Sequence, residues 1–447
     1  MTGGARNRLW HFVVLVGVVS GLMGAAFIAI LKLVTRLLGP ARWSDGPHLV
    51  VLVGVGVLIG VLTKVLGNPG DVELLVDNIH VSGGRAELRE LRSLIPVSLI
   101  GIGAGSAIGP EAPLVQSTGS VASWMALRWD LGPDDVRVLT ITGMAAGFAV
   151  LFGAPLGSAI FALEILHRRG LEYYEALLPA AIGALAGYAV YIGVNRVGFE
   201  HVWRFPQAHD LRAVDLLVGV GAGVAGALVA TIFTYLAHFE RKFFRRLPAG
   251  VRPVVGGAAL GGLAFLSPYA LTFGEAQIQH VVVAKLAVAT LALAVVVKLV
   301  ASSTIVTSGW RGGFIIPLFF MGAALGRIAG HISGVDTVVA MTSLMVATNV
   351  GVTKTPFGST LVVTEMAGLQ LLPSTLLAGI VALFLTSRVS MIETQRERGG
   401  VYGSIEVSRE AEAAPSRAPQ EHPSPARLDG PDPAPTTSTL PEAESTG

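Results

Sequence analysis

The sequence predicts an all-α, polytopic membrane protein, and two observations support this fold class. Of the 447 residues, 52% are hydrophobic and only 14% are charged, which is far too apolar for a soluble globular chain of this length. Apolar stretches of about 17–25 residues, long enough to cross a bilayer as a helix, recur along the chain. Examples are residues 10–31, 49–66, 213–235 and 283–300. These runs are continuous rather than alternating, which favours helices over a transmembrane β-barrel.

Charges and glycines within these stretches fit helices packed in a membrane. The few charges lie near segment ends, as Lys285 and Lys298 do in residues 283–300, and we expect them to reach the interface. Much of the abundant glycine lies inside apolar segments, where small residues let helices pack closely. Arg6 and Arg8 precede the first span, so the positive-inside rule predicts a cytoplasmic N-terminus in a multi-pass protein of the cell membrane.

Several classes of function lack their signatures. The chain has no cysteine, no His-Glu-x-x-His motif and no close ligand cluster, so we expect no metal site and no cofactor. It has no phosphate-binding loop ending in Gly-Lys-Ser or Gly-Lys-Thr, so the sequence gives no indication that ATP hydrolysis powers its function. A net charge of +2 without a basic, aromatic-rich patch gives no sign of a nucleic-acid partner. No cluster of acid and base groups suggests an enzyme.

Composition divides the chain into four parts. Residues 1–8 form the predicted cytoplasmic N-terminus. Residues 9–206 and 211–395 form two membrane halves joined by a short polar link. Residues 404–447 are rich in Pro, Ala, Glu and Ser, and they cannot bury enough apolar surface to fold. We therefore expect a disordered C-terminal tail, placed like the N-terminus on the cytoplasmic side.

The two halves resemble each other. Residues 154–164 (Ala-Pro-Leu-Gly-Ser-Ala-Ile-Phe-Ala-Leu-Glu) match residues 355–365 (Thr-Pro-Phe-Gly-Ser-Thr-Leu-Val-Val-Thr-Glu) at an offset of 201. Residues 109–114 (Gly-Pro-Glu-Ala-Pro-Leu) match residues 313–318 (Gly-Phe-Ile-Ile-Pro-Leu) at an offset of 204. Interrupted apolar segments at matching positions of two halves predict an inverted repeat of discontinuous helices with a binding site between them.

Glu111 is the most informative residue. No charged residue occurs in residues 94–108 or 112–127, and a lone carboxylate at membrane depth is either paired or functional. The flanking prolines and Gly109 disfavour a continuous helix here, and a helix start leaves N–H groups that attract anions. The alternative is a structural salt bridge, although the nearest preceding base is as distant as Arg92.

The order of these motifs resembles the CLC family of chloride channels and proton/chloride antiporters, over residues 10–395. Members of that family carry a Gly-Ser-Gly-Ile-Pro loop, a Gly-Arg-Glu-Gly-Pro loop, a Gly-x-Phe-x-Pro loop and a late tyrosine. Each loop precedes a helix whose N-terminus points at the anion. The resemblance also implies a homodimer with one pore in each subunit.

The second and third loops match this pattern best. Residues 109–116 (Gly-Pro-Glu-Ala-Pro-Leu-Val-Gln) parallel the family's Gly-Arg-Glu-Gly-Pro-x-Val-Gln, so the resemblance places Gly109 at the anion site and Glu111 as the gating glutamate. Residues 313–317 (Gly-Phe-Ile-Ile-Pro) match Gly-x-Phe-x-Pro by spacing. The resemblance then implies the amides of Phe314 and Ile315 as anion donors, and the alternative is an ordinary helix break.

The first loop is degenerate. Residues 80–85 (His-Val-Ser-Gly-Gly-Arg) occupy its place, and Ser82 aligns with the family serine that donates to chloride. The family's Ile-Pro is absent, although the Ser82 hydroxyl or the Gly83 amide could still donate. The alternative is a serine in a surface loop.

Two further family positions are replaced by isoleucine. Residues 390–395 (Ser-Met-Ile-Glu-Thr-Gln) resemble the segment of the late tyrosine and place Ile392 at its position, where it cannot donate to an anion. Ile165 stands where many antiporters carry the second of two adjacent acids, the inner proton relay. The first acid survives as Glu164, which we interpret as a helix-pairing carboxylate mirrored by Glu365.

The sequence therefore predicts transport of chloride or a related small anion through a glutamate-gated, channel-like pore. A proton/chloride or fluoride antiporter is the alternative, since some antiporters use another proton route. An alternative of another class is a secondary transporter for an organic solute, because such transporters are also built from inverted repeats. We expect anions to be held by helix N-termini rather than by full basic residues, because intramembrane Lys and Arg are scarce and tight binding would slow release.

Overall fold

The computed structural model describes residues 3–70, 84, 86, 88–167, 173–196, 202–392 and 395, and the predicted tail at 404–447 lies outside them. The described residues form fifteen α-helices and one isolated β-bridge. In chain order the helices are α1 (Gly3–Leu38), α2 (Asp45–Leu66), α3 (Leu91–Gly103), α4 (Glu111–Arg128), α5 (Pro133–Phe152), α6 (Pro155–Glu164), α7 (Leu177–Asn195), α8 (Ala213–Arg245), α9 (Arg252–Leu266), α10 (Glu275–Val283), α11 (Val288–Thr307), α12 (Ile315–Ser333), α13 (Thr337–Thr353), α14 (Pro356–Ala367) and α15 (Leu372–Leu385).

Seven of the described helices are long and apolar enough to cross a membrane: α1, α2, α5, α7, α8, α11 and α12. Four more apolar helices (α6, α9, α13 and α15) are shorter. This helical, multi-pass architecture confirms the predicted fold class. Short helices at membrane depth leave helix ends inside the protein, where other protein groups must satisfy them.

The helices of the two halves pack in the same pairings. Helix α4 packs on α5 as α12 packs on α13, α1 on α7 as α8 on α15, and α5 on α7 as α13 on α15. Helices α3 and α11 hold equivalent places, since they contact α1 and α2 in one half and α8 and α9 in the other. The halves meet through α2 against α9 and α6 against α14. Equivalent helices therefore face each other across the centre of the repeat.

The crossing of α6 and α14 shows that the repeat is inverted. At the C-terminal end of α6, the Glu164 carboxylate accepts hydrogen bonds from the N–H groups of Phe357 (3.2 Å) and Gly358 (2.6 Å), at the start of α14. At the C-terminal end of α14, Glu365 accepts one from the Gly157 N–H (3.0 Å), at the start of α6. Each helix end caps the other helix's beginning, so the two helices run antiparallel.

In both halves the helical structure is interrupted at equivalent positions, just before α6 and just before α14. Helix α5 ends in Gly153, which has a left-handed backbone (φ 63°), and α13 ends in Lys354 with the same φ. A left-handed backbone is strained for lysine but not for glycine. The Lys354 side chain offsets part of this strain, because its buried Nζ donates to the carbonyl oxygens of Gly351 (2.6 Å) and Thr386 (2.8 Å).

The expectation that Lys298 reaches the interface is wrong. Its side chain is 0% exposed, and its Nζ donates to the carbonyl oxygens of Leu271 (3.0 Å) and Thr272 (2.6 Å). These carbonyls belong to the segment between α9 and α10, which therefore depends on α11 for its position. Nearness to a segment end did not reveal that this face of α11 packs against protein.

Candidate functional site

Glu111 is the first residue of α4, and its side chain is 0% exposed. Pro110 is the N-cap, and Pro113 lies in the first turn, where a proline removes no intrahelical hydrogen bond. The two prolines and Gly109 thus fix the start of a helix at this carboxylate, as the sequence predicted.

The two loops that match at an offset of 204 lie directly against each other. The Gly109 N–H donates to the Gly313 carbonyl (2.7 Å), and the Gly313 N–H donates to the Gly109 carbonyl (2.6 Å). This pair of bonds is the isolated antiparallel bridge. It brings the N-terminus of α4 beside the N-terminus of α12.

The Glu111 carboxylate reaches across this bridge into the other half. Its Oε1 accepts a hydrogen bond of 2.6 Å from the N–H of Ile316, in the first turn of α12. Its Oε2 has no hydrogen-bond partner within the described part of the chain. No Lys or Arg in these described ranges forms an ion pair with Glu111. The carboxylate is therefore held as an anion would be, by an N–H group at the N-terminus of α12.

Glycine at both bridge positions leaves space for the carboxylate in its observed place. A Cβ on Gly109 would clash with Oε2 of Glu111, and a Cβ on Gly313 would lie 2.7 Å from the same oxygen and 3.0 Å from the Glu111 Cβ. Neither glycine has a left-handed backbone. Their role here is steric clearance for the carboxylate.

A cavity of about 80 Å³ adjoins the two loops. Its lining includes Ala112 and Pro113 from the first turn of α4, Gly312 and Phe314 beside the bridge, and Ile392. A water needs roughly 10–15 Å³ by this measure, so the cavity has room for a small anion together with water.

Two arginines also line this cavity, and neither was predicted from the sequence. Arg241 comes from α8 and Arg311 from the segment just before Gly313. Full positive charges thus adjoin the helix starts, and the expectation that helix N-termini hold the anion without basic residues stays a prediction. Arg311 could have been noticed in the sequence, two residues before the loop. Arg241 could not, because only the fold brings α8 here.

The predicted amides of Phe314 and Ile315 lie at the same helix start. Phe314 is the N-cap of α12 and Ile315 its first residue, so neither N–H has an acceptor within the helix. Ile316, which bonds the carboxylate, stands one residue further on and was not predicted. Its N–H was not distinguishable from its neighbours without knowing the direction in which Glu111 points.

The two isoleucine replacements are both buried. Ile392 is 2% exposed and lines the cavity, while Ile165 is 4% exposed and belongs to the same core cluster. The Gln395 side chain donates to the carbonyl oxygens of Ile165 (2.9 Å) and Thr353 (2.8 Å). These bonds join Gln395 to the C-terminal end of α6 in one half and to the C-terminal end of α13 in the other.

Ser82 and Gly83 lie outside the described residues. The neighbouring Gly84 is described, and its carbonyl accepts a hydrogen bond of 3.0 Å from the Thr140 hydroxyl on α5. Among the residues that the structure covers, no group of three or more His, Asp or Glu is arranged to hold a metal ion.

Helices broken at membrane depth, an inverted repeat and a cavity lined by both of its halves are typical of a membrane transport protein. The family model described as voltage gated chloride channel matches residues 69–387, so the chain belongs to this family. The resemblance to the CLC family is thereby confirmed.

Relatives of this chain include proteins named as channels and proteins named as exchange transporters. The chain is 26% identical over 400 residues to a chloride/fluoride channel protein of Pseudomonas syringae pv. tomato, covering 86% of this chain and 85% of that protein. It is 29% identical over 337 residues to an H(+)/Cl(-) exchange transporter ClcA of Cronobacter sakazakii, covering 71% of each.

Solved structures share the fold. A CLC-type fluoride/proton antiporter superposes with a TM-score of 0.80 at 23% identity, covering 89% of this chain and 100% of that one. A slow cyanobacterial Cl-/H+ antiporter gives a TM-score of 0.75 at 17% identity, covering 91% and 99%. At these identities the likeness establishes the architecture and leaves the transported ion open.

Proposed function

We propose that this protein conducts chloride or a related small anion across the cell membrane through a pore that Glu111 gates. One observation carries the proposal: the buried Glu111 carboxylate is held by the Ile316 N–H at the start of α12, with no cation paired to it in the described residues. A group that binds a carboxylate in this way can bind an inorganic anion in its place.

Gating follows from this competition. While Glu111 is ionised, its carboxylate occupies the helix N-termini and excludes an anion. When it is protonated or displaced, the Ile316 N–H is released and binds the anion together with the N–H groups of Phe314 and Ile315, and the anion enters from the cavity beside them. Each helix start contributes roughly half a positive charge. Binding of this strength permits fast release, which conduction requires.

Channel-like conduction is the form of transport that we propose. Ile165 occupies the inner relay position, and an apolar side chain cannot pass on a proton. Ile392 offers no hydroxyl to an anion in the cavity, which favours weaker binding there. A proton-coupled antiporter is the second candidate, because relatives named as antiporters share this architecture. Fluoride is the second candidate ion, because one relative is named a chloride/fluoride channel protein.

The remaining features of the proposal follow from the family and the sequence. The protein is a homodimer with a separate pore in each subunit, and both termini face the cytoplasm. It is a transporter rather than an enzyme and needs no cofactor.

Anion efflux from vesicles that contain the purified protein tests this function. We expect chloride efflux well above that of protein-free vesicles, and an anion-competition series with chloride, bromide and fluoride ranks the ions. Absence of any anion flux, combined with saturable sodium-dependent uptake of an organic solute, would favour the secondary-transporter alternative instead.

A further inference from the structure

A second, larger cavity of about 610 Å³ lies between α1, α5, α7 and the start of α10. It shares no lining residue with the cavity beside Phe314. Its inner wall is buried and includes Leu31, Leu151 and Gly153, whereas its rim residues Lys32 and Glu275 are exposed. A buried floor with an exposed, charged rim is the form of a vestibule that opens outward.

Three charged side chains line this vestibule: Lys32 and Arg36 from α1, and Glu275 from α10. The Lys32 ammonium attracts the Glu275 carboxylate. Within the described residues the two do not form a direct ion pair. The positive charges of Lys32 and Arg36 can therefore attract an anion inside the vestibule. The tyrosines at 188 and 191 line the same vestibule.

Glu275 belongs to a wall of this vestibule that is bonded to the segment before Glu111. The wall that carries it is fixed to the loop before Glu111, because the Thr272 N–H donates to the Gly105 carbonyl (2.8 Å). Lys298 holds the same wall from the other side through the Thr272 carbonyl. The vestibule and the gate thus belong to one connected framework.

We propose that this vestibule is a second anion site, where Lys32 and Arg36 collect the small inorganic anion and Glu275 limits its residence. Cations in a partly enclosed space raise the local concentration of anions. A carboxylate in the same space repels the anion and speeds its departure, which passage through successive sites requires. This inference rests on the proposed anion transport.

Sided flux measurements in planar bilayers test the inference with chloride as the probe. Glu275→Gln is expected to lower the half-saturating chloride concentration roughly two- to fivefold, and Lys32→Met to raise it by a similar factor, as for charge pairs across water. Both effects should appear on one side of the membrane and shrink when an impermeant salt is added.

Charge-matched controls are Asp134→Asn and Lys64→Met, which remove exposed charges outside the vestibule. Lys32→Arg and Glu275→Asp keep the charge and should restore half-saturation close to that of the wild type, which separates charge from folding effects. If wild-type flux saturates and the folded variants Glu275→Gln and Lys32→Met keep the wild-type half-saturating chloride concentration, the proposed anion site in the vestibule is refuted. Absence of wild-type chloride flux would instead contradict the proposed function.

Discussion

At the scale of single residues, Glu111 combines a buried charge with a partner that is a backbone group. Its Oε1 accepts from the Ile316 N–H, while its Oε2 lacks a hydrogen-bond partner in the described part of the chain. A carboxylate held by one charge-assisted hydrogen bond is stable in place yet removable, since such a bond contributes about 1.5–3 kcal/mol. This strength suits the repeated opening that the proposed gating role of Glu111 requires.

Replacing Gly313 by alanine should displace this carboxylate. The added Cβ would lie 2.7 Å from Oε2 of Glu111, and the backbone at Gly313 does not require glycine. We expect anion flux at neutral pH to rise and its pH dependence to weaken, as measured in vesicles. Gly193→Ala is the matched control, because nothing lies within 4 Å of that Cβ.

Combining Gly313→Ala with Glu111→Gln tests whether the effect acts through the carboxylate. Residues in contact give non-additive effects. The double variant should therefore behave like Glu111→Gln alone, and an independent, additive change in flux would refute the steric account.

The sequence made part of the site predictable. Glu111 and Gly109 were identifiable because a lone carboxylate flanked by prolines in an apolar run is chemically conspicuous. Ile316 and Arg241 were not, since one acts through its backbone and the other is distant along the chain. Lys298 was misplaced because position along a segment does not tell which helix face packs against protein.

At the scale of helices, α6 and α14 stabilise each other through reciprocal caps. Each terminal carboxylate satisfies N–H groups that open the other helix and that no water could reach in a bilayer core. The sequence indicated this pairing through the repeated Pro, Gly, Ser and Glu at one offset. It could not indicate that each glutamate would cross to the opposite half.

Glu164→Leu should destabilise the protein by leaving the N–H groups of Phe357 and Gly358 unsatisfied. We expect a loss of about 1–3 kcal/mol for each such group, measured as a lower Tm in detergent. Glu164→Gln is the comparison variant, because its amide oxygen still accepts from one of the two N–H groups, so the loss of stability should be smaller than in Glu164→Leu. Equal Tm values for Glu164→Leu and the wild type would contradict the cap.

The helix breaks were predictable, whereas the lengths of the helices were not. Gly153 and the proline at 155 are residue types that interrupt helices, and α5 ends and α6 begins there. Lys354 gave no such signal, although it adopts the same left-handed backbone in the other half. Its strain is offset by bonds to carbonyls that only the folded arrangement brings near.

At the scale of the whole molecule, the duplication is symmetric in packing and asymmetric in chemistry. The two loops meet at Gly109 and Gly313, but the residue equivalent to Glu111 is Ile315. A single titratable group therefore serves a site that both halves build. The predicted boundaries of the halves at residues 206 and 211 stay a prediction.

The proposed loss of the inner proton relay at Ile165 predicts weak or no proton coupling. Vesicles with an inward chloride gradient should take up chloride without moving protons against their own gradient, as followed by external pH with the membrane potential clamped. Sustained uphill proton movement would establish the antiporter and require a proton route that bypasses Ile165.

The central claim is that Glu111 competes with the transported anion. The most direct measurement compares the pH dependence of chloride efflux for wild type and Glu111→Gln, with the exposed Asp134→Asn as control. Wild-type flux should rise as pH falls, because protonation removes the blocking charge. Glu111→Gln should give pH-independent flux that exceeds wild type at neutral pH by about ten- to a hundredfold, the strength of one charge-assisted hydrogen bond. Normal pH dependence in Glu111→Gln would contradict the claim.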